Sequence, residues 1–260
     1  MSTAVTKGQS ASPGEAKSKP TLHPVAMADT PAAQAVSIGR PALLLGALYV
    51  RMPALINDPV AALNSALPFV VLVQIAYAAI CLPIAGAPTV AKSTKKPRAG
   101  EKKRTESTAP ALFKASLPQS SQSFLALILT VITVPAVHIL FVLFGAPLLD
   151  HVARTLLCAA HFSILAAFPL FYTRGVDAQA MLALAGAYAP LDEVSGGVLG
   201  AVLGAWLGAV PIPLDWDREW QKWPITIVVG MYLGYAVLSK GVGTLFYGKR
   251  LAKAPGEGNE

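Results

Sequence analysis

The sequence predicts an all-α polytopic membrane protein of about six transmembrane helices, with a disordered N-terminal tail and a basic cytosolic loop. Three observations predict it. Of 260 residues, 54% are hydrophobic and only 13% are charged, against about 25% charged in a soluble domain. The mean hydropathy is +0.53. The apolar residues also gather into runs long enough to cross a bilayer, while the basic residues of a chain of net charge +7 collect in tails and one loop. That uneven spread makes nucleic acid a poor partner. Cys81 and Cys158 both lie in apolar runs, which argues against a disulfide framework or a cysteine metal site.

In chain order, residues 1–39 are rich in Ser, Thr, Ala, Pro and Lys and read as a disordered tail. A membrane domain is expected over 40–250, with a C-terminal tail at 251–260. The first apolar segment, 40–56, is the weakest, because Arg51 and Pro53 interrupt it. Arg51 is expected either to reach the interface or to face protein. The second span is 67–87. Between 88 and 122 lies a hydrophilic loop carrying Lys92, Lys95, Lys96, Arg98, Lys102, Lys103, Arg104 and Lys114 against Glu101 and Glu106. The positive-inside bias places this loop, both termini and the 173–194 link in the cytosol.

The third span, 123–144, holds Pro135 and His138 and is expected to kink. After the GAPLLDH connection, where Asp150 is expected to cap a helix, comes a fourth span at 152–172 with His161 near its middle. The link that follows contains a short apolar piece suited to an interfacial or re-entrant helix. The fifth span carries Gly196, Gly200, Gly204 and Gly208, four residues apart on one helix stripe. Gly230 and Gly234 repeat the spacing in the sixth span, 224–239. In lipid, helix pairing relies on close backbone approach, which glycine permits. The stripe is expected either to join spans five and six or to dock a partner's helix.

Between those spans lies a stiff, polar, aromatic loop on the lumenal side: Pro211, Pro213, Asp215, Trp216, Asp217, Trp220 and Trp223. Prolines restrict where the tryptophans point, and tryptophan favours the headgroup layer. A recognition loop is one reading. A cation or acid–base site on Asp215, Asp217 and Glu219 is the other, with Arg218 and Lys222 able to neutralise two of those carboxylates. His138 is open in the same way, as an intramembrane functional group or as a neutral histidine hydrogen-bonded between helices. No nucleophile elbow, His-x-x-x-His zinc pair or phosphate-cradling glycine loop occurs.

The stretch GAWLGAVPIPLDWDREWQKWPI (204–225), together with VHILFVLFGAPLL (137–149), resembles the PIG-F family of glycosylphosphatidylinositol (GPI) anchor biosynthesis, in the style of a fungal member. The likeness is recognisable over about 123–250, weak in the first two spans and absent from the N-terminal tail. Glu219 departs from the proline expected in animal members, which implies a looser and more acidic loop. The resemblance implies a multi-pass endoplasmic reticulum protein that is not itself an enzyme. It implies an accessory subunit that binds and stabilises the large GPI ethanolaminephosphate transferase catalytic subunits. These add ethanolamine phosphate to the third GPI mannose, and by extension the second. No cofactor is expected in this chain; the metal belongs to the catalytic partner. Membrane lipids, extending to the GPI precursor and phosphatidylethanolamine, are the other expected partners. The alternative is a lipid-handling enzyme, or a subunit presenting phospholipid or GPI, in which His138 and the acidic loop touch substrate.

Overall fold

The computed structural model describes residues 22–85 and 119–253, and among them there are no strands. The basic loop falls almost wholly outside the described residues. Among the described residues, five apolar stretches are long enough to cross a bilayer: Pro31–Val50, Pro59–Cys81, Gln119–Leu143, Val152–Arg174 and Ile225–Leu245. A sixth helix, Glu193–Ala209, has 17 residues, the lower bound of about 17 for a span.

The first helix starts earlier than the apolar run suggests. α1 is Pro31–Val50, capped by the Thr30 hydroxyl, which accepts from the Ala33 N–H, with proline in its first turn. Residues 31–39 therefore belong to a helix rather than to a tail, and Arg40 sits mid-helix. Ser37, Arg40 and Leu44 share the buried face of α1 at helical spacing. The 40–56 segment is also not one element. A short α2 (Met52–Asn57) follows after Arg51, and α3 is Pro59–Cys81, capped by Asp58. Residues 23–28 strap the bundle end: the Val25 N–H donates to Asp192 Oδ2, the Ala28 N–H to the Cys81 carbonyl, and Arg174 to the His23 carbonyl.

α4 (Gln119–Leu143) runs through Pro135 as one helix and is the most outward, with Val131, Ile132 and Leu143 exposed. Asp150 does not cap the next helix. His151 is its N-cap, in the left-handed region (φ 60°), and no side chain bonds the free amides. α5 (Val152–Phe162), a π-helical turn (Ser163–Ala167) and α6 (Phe168–Arg174) form one continuous rod. Pro169 explains the turn. It has no N–H to offer the carbonyls of Ile164 and Leu165, and these share an N–H of the Gln74 amide, at 3.3 and 3.4 Å.

The link holds only an eight-residue α7 (Ala178–Ala185), capped by Asp177 and too short to span. α8 (Glu193–Ala209) begins in a capping box between Asp192 and Ser195. A loop with one 3-10 turn (Glu219–Gln221) leads to α9 (Ile225–Leu245). α8 and α9 form the tightest pair of the bundle; α1 and the α5–α6 rod pack against them, and α3 packs on α1 and the rod.

Candidate functional site

The glycine stripe is closed by its own chain. A Cβ added to Gly204 would lie 2.0 Å from the Gly230 carbonyl oxygen, and one on Gly200 would lie 2.2 Å from that of Gly234. At Gly208 and Gly196 the same atom would meet the carbonyls of Thr226 and Leu238, at 2.4 and 2.5 Å. Gly230 and Gly234 are blocked reciprocally by Gly204 and Gly200. Any side chain on the stripe would force α8 and α9 apart, so the stripe is a seam between these two helices. What stays open is the flank beside it. A groove of about 590 Å³ lined by Met52, Leu207, Pro211, Trp220, Leu233 and Val237 runs along the outer side of the pair, up to the aromatic loop.

That loop is braced from inside by Gln221, a role that no short-range pattern announces. Its buried side-chain amide donates to the carbonyls of Pro211 and Leu214, both at 2.7 Å, and its Oε1 accepts from the Arg218 N–H at 3.0 Å. One glutamine thus ties both limbs of the loop together. The tryptophans divide by role. Trp223 anchors, its indole N–H donating to Thr155 Oγ1 at 3.0 Å and its carbonyl accepting from Arg154 at 3.4 Å. Trp216 and Trp220 face outward, 52% and 37% exposed, with ring centroids 5.8 Å apart. Pro213, Asp215 and Asp217 are exposed, and Asp217 takes a left-handed φ of 49°, which short polar residues tolerate. Glu219 opens the 3-10 turn and pairs with Lys222. Arg218 makes no such pair with Asp215 or Asp217. Among the described residues no three His, Cys, Asp or Glu side chains converge as metal ligands.

His138 is half-buried on α4, and its Nδ1 has no hydrogen-bond partner among the described residues. No hydrogen bond joins it to the loop. His161 is satisfied: its Nε2 faces the Leu63 carbonyl at 3.0 Å and must carry the proton, so its Nδ1 accepts from the Tyr232 hydroxyl at 2.6 Å.

At the opposite end of the α8–α9 pair, the fold assembles a charged cluster from residues far apart in sequence. Arg40 donates to Glu193 Oε1 at 2.8 Å and to the Tyr235 hydroxyl at 2.6 Å, and its guanidinium lies 3.5 Å from the Tyr77 ring centroid. Lys240 donates to the same Glu193 oxygen at 2.8 Å and also bonds Ser37. Gln74 donates to Tyr235 at 2.9 Å. Arg40 and Glu193 are almost fully buried. Two cations share one carboxylate, which locks α1 onto α8 and α9. A signal for this existed in Thr30-Pro31, an N-cap followed by proline at the first helical position, which places Arg40 inside a helix.

Residues 40–243 match the model of the GPI biosynthesis protein family Pig-F. The match therefore takes in the first two spans, where the motifs alone are weak. The chain is 47% identical over 230 residues to a Neurospora crassa protein named glycosylphosphatidylinositol anchor biosynthesis protein 11, covering 88% of this chain and 82% of that one. An Aspergillus fumigatus protein of the same name is 41% identical over 247 residues, covering 84% and 82%. A stretch of 103 residues is 43% identical to a Schizosaccharomyces pombe PIGF/3-ketodihydrosphingosine reductase fusion protein, covering 38% of this chain and 21% of that one. No solved structure matches.

Proposed function

We infer the function from one premise: the chain belongs to the GPI biosynthesis protein family Pig-F. It is a multi-helix membrane protein of GPI-anchor biosynthesis. Within that pathway we propose that it is a non-catalytic subunit in the endoplasmic reticulum membrane. It binds and stabilises the large ethanolaminephosphate transferase subunits that modify the third GPI mannose, and by extension the second. The metal-dependent chemistry resides in those partners. The termini and the Lys-rich loop face the cytosol, and the aromatic loop faces the lumen.

The observation that carries this reading is the aromatic loop. A glutamine pegs its backbone from within, and Trp216 and Trp220 are turned outward, with Trp220 at the head of an apolar groove. Tryptophan is enriched among the anchors of protein interfaces, and on a pre-organised backbone little conformational entropy is lost when it docks. The loop's carboxylates are exposed and do not converge with His138, an arrangement that suits adhesion better than catalysis.

Co-purification of the solubilised full chain with the transferase tests it. The double substitution Trp216→Ala and Trp220→Ala should lower recovery of the complex by about tenfold or more, the loss of one to two interface anchors. Unchanged recovery would remove the loop from the interface. Transfer of phosphoethanolamine by the purified chain alone would overturn the non-catalytic assignment.

A further inference from the structure

A second concavity lies between α1 and α3 and reaches α9 at Val228 and Tyr232. It is an open groove of about 480 Å³, walled by Leu44, Leu48, Leu55, Leu63, Phe69 and Val70. His161 and Tyr232 form its floor, and their polar atoms already satisfy each other and the Leu63 carbonyl. The depth of the groove therefore asks for hydrocarbon and offers nothing to a polar ligand. At its mouth the groove runs into a polar concavity of about 520 Å³ lined by Arg51, Asn57, Asp58 and Ser65. Val50, Arg51, Ala62 and Ser65 line both spaces.

The charges at that junction are held in place and are not paired with each other. Arg51 follows directly on a 20-residue helix, which at 1.5 Å per residue puts it about 30 Å along, at the bilayer edge. Its Nη1 donates to Ser65 Oγ at 2.5 Å and to the Ala62 carbonyl at 3.3 Å, which holds the guanidinium across the mouth. Its Nε and Nη2 make no hydrogen bond among the described residues. Asp58 uses one oxygen, Oδ1, to cap α3 through the Val60 and Ala61 amides. Arg51 and Asp58 line the same concavity, yet no ion pair joins them. An arginine and a carboxylate held apart on one concavity offer charge-assisted contacts to a ligand carrying both opposite charges.

We propose that this groove binds a membrane phospholipid with a zwitterionic headgroup. Its acyl chain lies along the α1–α3 wall, its phosphate on Arg51 and its amine on Asp58. Met52, the next residue, lines the other groove together with Trp220, so the bound headgroup sits at the same end of the bundle as the aromatic loop. The site is built from this chain alone and stands apart from the identity of the protein partner.

Photo-crosslinking of the purified full chain in detergent micelles tests it. The probes carry a diazirine acyl chain and are phosphatidylethanolamine, phosphatidylglycerol and diacylglycerol. Phosphatidylethanolamine should label peptides within 42–70 about tenfold more than diacylglycerol, the worth of a charge-assisted contact. Arg51→Gln should abolish that preference. Gly46→Phe, at a position where an added Cβ meets nothing within 4 Å, should fill the groove and block labelling without touching either charge. Asp58→Asn keeps the helix cap and should raise phosphatidylglycerol to the level of phosphatidylethanolamine. Equal labelling by diacylglycerol, or labelling indifferent to both Arg51→Gln and Gly46→Phe, would overturn the site. The readout needs no transferase, so its failure leaves the subunit assignment untouched.

Discussion

Gly204 and Gly46 both sit in apolar helices, and one added methyl group has opposite consequences at the two. At Gly204 the new Cβ falls 2.0 Å from a carbonyl oxygen of α9, so the helices must separate. Gly204→Ala should destabilise the chain by about 1–3 kcal/mol, the usual cost of overpacking. At Gly46 nothing lies within 4 Å, and Gly46→Ala should stabilise by up to about 1 kcal/mol through helix propensity. Thermal unfolding of the two solubilised variants checks both signs. Glu193 is the other decisive single residue. It is the shared acceptor of Arg40 and Lys240, so Glu193→Ala leaves a buried guanidinium unpaired. The expected loss is about 3–5 kcal/mol, read from the same melts.

At the scale of an element, the α5–α6 rod shows how one proline is tolerated in the middle of a bundle. Pro169 withdraws a donor, the helix widens into a π turn, and a side chain from α3 supplies the missing hydrogen bonds. Gln74→Leu should cost about 1–3 kcal/mol, because it leaves buried carbonyls unsatisfied. Pro169→Ala returns an N–H to that turn. In the Pro169→Ala background, Gln74→Leu should therefore cost measurably less, and a double-mutant cycle of thermal stabilities detects the coupling. Additive effects would show that Gln74 acts through packing alone.

For the whole molecule, the helices alternate in direction. The aromatic loop and the α1–α2 junction share one end, while Arg174, Asp192 and the strap at 23–28 lie at the other. The assigned orientation predicts that a cysteine introduced for Ser93 in the Lys-rich loop reacts with an impermeant thiol reagent in intact microsomes. One introduced for Asp215 should react only after permeabilisation. The native Cys81 and Cys158 are buried and should stay silent. The reverse labelling pattern would invert the topology.

Hydropathy, the glycine interval and the tryptophan-rich loop were legible in order along the chain, because each is a short-range pattern imposed by lipid or by helix geometry. They sufficed for the helical membrane class and for the family resemblance through 204–225. Spacing alone left two partners open for the glycine stripe; the tertiary structure gives it α9, because only facing backbones reveal what a Cβ would strike. Arg40, Gln74, Glu193 and Lys240 looked like residues of separate segments. Packing brings them together, since an ionic group in a low-dielectric interior must find its counter-charge wherever the fold brings one. Composition and run length alone marked the stretches that could enter the bilayer. Which polar groups meet there was decided only by the close approach of helices distant along it.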